Sequence, residues 1–112
     1  MDKYQKASDA YFEARKGINI KENEKIVLET KTSWCYNFAK DIKGADIKAH
    51  EQVILEFKNP EPSCYFATDI PGANIEEHFK VVLNSGSKYS FYWFIKDVNY
   101  KGTKVEEWLM YI

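Results

Sequence analysis

Phe38-Ala39-Lys40-Asp41-Ile42-Lys43-Gly44-Ala45-Asp46-Ile47 returns 28 residues later as Phe66-Ala67-Thr68-Asp69-Ile70-Pro71-Gly72-Ala73-Asn74-Ile75, with seven of ten positions identical. The stretch that follows returns as well: Ile47-Lys48-Ala49-His50-Glu51-Gln52-Val53-Ile54-Leu55 matches Ile75-Glu76-Glu77-His78-Phe79-Lys80-Val81-Val82-Leu83. Agreement over that length marks an internal repeat, and each copy of a repeat is one supersecondary unit. Working outward, residues 17–29 align with the second copy at an offset of 27, and Phe94-Ile95-Lys96-Asp97-Val98 aligns with the third at 28. The 112 residues are thus approximately four repeats, 1–31, 32–59, 60–87 and 88–112. Diverged outer copies suit an array whose ends face water instead of a neighbour.

Each copy reads as two short helices. The second opens at a repeated polar residue, Asn19, Asp46, Asn74 or Thr103, whose side-chain oxygen can accept orphan backbone N–H groups. Glu22, Glu77 and Glu106 stand three residues on, where a capping box would close, and Ala49 interrupts the pattern. Ile20/Val27/Leu28, Ile47/Ile54/Leu55 and Ile75/Val82/Leu83 keep to one helical face. The first helices are aromatic: Trp34, Phe38 and Ile42; Phe66 and Ile70; Phe91, Phe94, Ile95 and Val98. Gly44 and Gly72 mark the corners, where glycine admits positive φ. Propensity alone reads Lys88–Ile95 as a strand, but its register with Phe38 and Phe66 favours helix. The expectation is a single all-α domain over 1–112. It has about eight short helices in four tandem hairpins, stacked as a compact α-solenoid-like array because ten-residue helices are not stable alone.

The run Tyr36–Ile47 resembles a tandem repeat of uncharacterised proteins from tailed phages and some bacteria, which iterate a Phe-Ala-Lys-Asp-Ile-x-Gly-Ala-Asp/Asn-Ile core before a Val-Ile-Leu helix. The likeness covers the two middle units well and the outer ones loosely, with Asn99-Tyr100-Lys101-Gly102 departing from the corner pattern. It implies an all-α repeat of phage or mobile-element origin, and brings no catalytic residues with it.

Composition narrows the function. With 45% apolar and 16% aromatic residues the chain can build a core. Sixteen basic against 17 acidic side chains exclude a strongly basic nucleic-acid binder and a polyanionic mimic alike. No apolar stretch follows the charges of Met1–Lys6, no run is long enough to cross a bilayer, and two cysteines are too few for a stapled secreted scaffold. A cytoplasmic setting, no membrane and no direct nucleic-acid contact are expected.

Candidate chemistry is sparse. His50 and His78 hold equivalent positions, with Asn23 and Trp108 in the outer copies, which suits a seam between repeats better than a zinc site needing four convergent ligands. Cys35 and Cys64 lie on aromatic helix faces and carry no orienting motif for a Cys–His enzyme. Asp41, Asp69 and Asp97 repeat at the ends of first helices, where an aspartate can bind the N–H groups of its own corner. No phosphate loop and no cofactor motif occur. Charge is unevenly spread: residues 60–87 set Lys80 against Glu61, Asp69, Glu76 and Glu77, net −3. Tyr89, Tyr92, Trp93 and Tyr100 crowd the fourth copy. Acidic groups steer basic partners and aromatic anchors dominate interfaces. Asp69, Glu76, Glu77, Tyr89, Tyr92, Trp93 and Tyr100 are therefore the expected partner-binding residues of a non-enzymatic protein-binding module. Its partner would be a protein with a basic surface, for a phage protein a host defence protein that it blocks. Self-association through end repeats is the alternative, and a small Cys/His enzyme the remote one.

Overall fold

The computed structural model describes residues 2–100, with side chains through Asp97. Among the described residues the chain is all-helical, with seven helices and no strand: α1 (Lys3–Arg15), α2 (Ile20–Thr30), α3 (Trp34–Asp41), α4 (Ile47–Glu56), α5 (Pro60–Asp69), α6 (Ile75–Ser85) and α7 (Lys88–Tyr100). Their boundaries follow the repeat, two helices to each of the first three copies. The aromatic run Lys88–Ile95 is helical, because packing Phe94 into the core overrides local strand propensity. The expected eighth helix, with Thr103, Glu106 and Val105–Leu109, lies outside the described residues.

The chain forms two compact units, Met1–Phe57 and Lys58–Ile112. In the first, α1 packs on α2 and α3, α3 on α4, and α2 on both α3 and α4. In the second, α5 packs on α6 and α7, and α6 on α7. Phe38, Phe66 and Phe94, spaced by 28, are all completely buried, as are Val27, Ile54 and Val82 on the second helices. Each such side chain stabilises its unit by about 1.5–3 kcal/mol relative to exposure. In the second unit Ala67, Phe79, Val82 and Phe94 form the core, with Cys64, Ile75, Leu83, Phe91 and Ile95 packed around it.

The corners depend on local chemistry. Gly44 and Gly72 adopt φ of +83° and +85°, a conformation that costs an L-residue with a Cβ. Asp46 Oδ1 accepts from Ala49 N at 3.2 Å and Asn74 Oδ1 from Glu77 N at 3.2 Å, so both act as the expected caps. Asn19 does not: it is left-handed (φ 45°) and makes no side-chain cap bond. Capping needs extended backbone at that residue, and Asn is among the few types that tolerate the left-handed alternative. The Glu77 carboxylate meets Lys80 Nζ at 3.3 Å.

No helix among the described residues is long and apolar enough to cross a membrane.

Candidate functional site

Two helix faces of the second unit converge on an open cleft of about 420 Å³. α5 contributes Glu61 and Tyr65, four residues apart; α7 contributes Tyr89, Trp93 and Asp97 at i, i+4 and i+8. That spacing puts each set on one side of its helix. Tyr89 is 74% exposed, Tyr65 54% and Trp93 37%, high values for side chains this large. The Trp93 ring is 6.0 Å from that of Tyr89 and 5.9 Å from that of Tyr92, edge-on to both. On α7, Lys96 Nζ sits 4.7 Å from the centre of the Trp93 ring.

Cys64 also lines the cleft, and its thiol donates to Ser90 O at 3.6 Å. Burial pushes this thiol up to about 11, and the carboxylates of Asp97 and Glu61 push it in the same direction. Among the described residues that line it, the cleft combines three aromatic side chains and two carboxylates with no basic side chain.

Of the expected residues, the structure brings Tyr89 and Trp93 into this cleft, with Tyr92 beside them. Asp69, Glu76 and Glu77 lie elsewhere, exposed at the α5–α6 corner. The side chain of Tyr100 lies outside the described residues. Glu61, Tyr65 and Asp97 were not among the expected set: their four-residue spacings put them on one side of each helix without saying what that side meets. Asp97 was expected to bind its own corner, but α7 continues to Tyr100 and places it within the helix. Asp41 accepts the hydroxyl of Tyr11 from α1. Burial and that carboxylate both raise the Tyr11 pKa.

The other chemical candidates are built into the interior. His50 is completely buried, stacked on Phe38 with ring centres 5.0 Å apart, and its Nε2 lies 3.0 Å from Glu24 Oε2. The same oxygen accepts the Asp46 N–H at 2.7 Å, so it acts as an acceptor and the imidazole donates from Nε2. Nδ1 has no partner among the described residues. Burial lowers the His50 pKa below 6.5, with Glu24 opposing the shift. His78 repeats the arrangement on Phe66, with centres 5.2 Å apart. Glu24, only 6% exposed, was missed by sequence reasoning because its alternation with Asn23 and Lys25 looks like a solvated helix. Cys35 donates to Val27 O at 3.7 Å, and burial raises its thiol to about 12. Both cysteines are therefore protonated at neutral pH, the unreactive form. Among the described residues no group of three or more His, Cys, Asp or Glu side chains is placed to hold a metal ion.

No protein-family model, curated protein or solved structure matches the chain.

Proposed function

We propose that the chain is a tandem helical-hairpin repeat, stacked in the manner of a short α-solenoid, that works as a non-enzymatic protein-binding module. The observation that carries this reading is the exposed aromatic ridge of α7, Tyr89, Tyr92 and Trp93, standing beside carboxylates. Large aromatic side chains cost free energy in water, and at interfaces they act as anchors. The acidic corner of Asp69, Glu76 and Glu77 adds a negative surface suited to a basic partner. The likeness to tailed-phage repeats points to a phage-encoded protein that blocks a host defence protein in the host cytoplasm. Affinity capture from that host, followed by reconstitution with the purified partner, tests the reading. A 1:1 complex should form, weakened at least about tenfold by Trp93→Ala and less by Glu76→Lys. Equal binding by both variants and the parent overturns the proposed surface.

Self-association is the second reading, favoured by Tyr4, Phe12 and Ile18, each 47–57% exposed in the first repeat. It would appear as a molar mass rising with protein concentration in light scattering.

A further inference from the structure

The cleft between α5 and α7 has a chemistry more specific than a general docking face. Among the described residues its walls are the rings of Tyr65, Tyr89 and Trp93, and its charged groups are Glu61 and Asp97, with no cation lining it. Neither carboxylate makes an ion pair or hydrogen bond among the described residues. Aromatic faces carry negative potential that attracts cations, and adjoining carboxylates strengthen it. The chain itself illustrates this, since Lys96, which does not line the cleft, lies over the Trp93 ring. A compact ammonium would satisfy only one part of such a site. A guanidinium is flat enough to stack on a ring while its edge donates to a carboxylate, and it is more weakly hydrated.

We propose that this cleft receives an arginine side chain presented by a basic partner protein, with the guanidinium against the aromatic walls and its N–H groups toward Glu61 and Asp97. The proposal rests on the protein-binding reading above and narrows its ligand. The Cys64 thiol is raised mainly by burial, and the fields of Asp97 and Glu61 add to it on that side of the cleft.

The probe is a five-residue glycine–arginine peptide, compared with its citrulline counterpart, which keeps the shape and loses the charge. Binding is followed on the indole N–H signal of Trp93, assigned by its loss in Trp93→Phe. The arginine peptide should shift that signal saturably, and the citrulline peptide should bind at least about tenfold more weakly. Glu61→Gln with Asp97→Asn should weaken the arginine peptide by a similar factor while helical circular dichroism is unchanged. Should that double variant fail to fold, raising salt on the parent protein replaces it, and affinity must fall. Equal binding of the two peptides, salt-independent binding, or no shift of the Trp93 signal overturns the proposal. The broader reading fails separately: if the captured partner is lost in Trp93→Ala but retained in the Glu61→Gln, Asp97→Asn variant, the protein-binding surface stands and the arginine cleft falls.

Discussion

Glu24 in the first unit and Phe79 in the second occupy the same place in the repeat, and they join neighbouring copies by opposite chemistry. Glu24 reaches from α2 to the start of α4, where it holds the Asp46 N–H and the imidazole of His50. Phe79 projects from α6 onto α7, with its ring 5.6 Å from Phe91 and 5.7 Å from Phe94. Both residues are buried, at 6% and 3% exposure. The difference shows how one backbone pattern accepts two kinds of seam, provided each is internally complete. A buried acceptor is stable only with donors to meet it, and a buried ring only with apolar neighbours. In the second copy Ala49 cannot close a capping box, and Glu24 from the preceding copy takes the N–H that the box would have satisfied. The aromatic seam makes no such demand, which leaves the outer face of α7 available to carry exposed rings.

The largest expected effect comes from exchanging the chemistry of the seams. Phe79→Glu would bury a carboxylate among Phe91 and Phe94 and should cost about 3–5 kcal/mol, against about 2–4 kcal/mol for Glu24→Ala. Urea unfolding followed by circular dichroism measures both. A mild effect of Phe79→Glu would mean that the two seams are interchangeable and would break the comparison.

Gly44→Ala and Gly72→Ala probe what the units share. Beyond the adjoining residues no heavy atom stands within 4 Å of a Cβ added at either glycine, so the cost is backbone strain. Each should lose about 1–2 kcal/mol by the same urea assay, and by the same amount. Unequal losses would show that the two corners are not equivalent.

The smallest effect is that of pH on the polar seam. Burial lowers the folded pKa of His50 below its ordinary 6.5, so the unfolded chain binds the proton more readily. The stability this group contributes is complete above pH 6.5 and is lost as pH falls below it toward the folded value. The slope for this one group is no steeper than about 1.4 kcal/mol per pH unit. His50→Asn, which installs the residue that the first copy uses at this position, should flatten the dependence relative to the parent. Identical pH profiles would remove His50 as the group responsible.

Much of the architecture was legible from the sequence because it depends on neighbours along the chain. The offset of 28, the glycine corners and the caps at Asp46 and Asn74 are local, and each has a side-chain or backbone requirement that residue type alone reveals. The site was less legible. Tyr89 and Trp93 were visible as surplus aromatics, but Glu61 and Tyr65 lie 28 residues upstream of them. Nothing in their own neighbourhood indicates that they face α7. Asp97 was misread because its match to Asp41 and Asp69 concealed that α7 runs on past it.

The sequence by itself determined that this chain is helical and where its second helices begin, since periodicity, capping and positive φ are short-range matters. Only the tertiary structure decided that Glu24 is an internal strut instead of a solvated charge, and that two acids and three rings from α5 and α7 share one cleft. Those outcomes depend on which faces become buried together, and burial is a property of packed elements, not of a segment read alone.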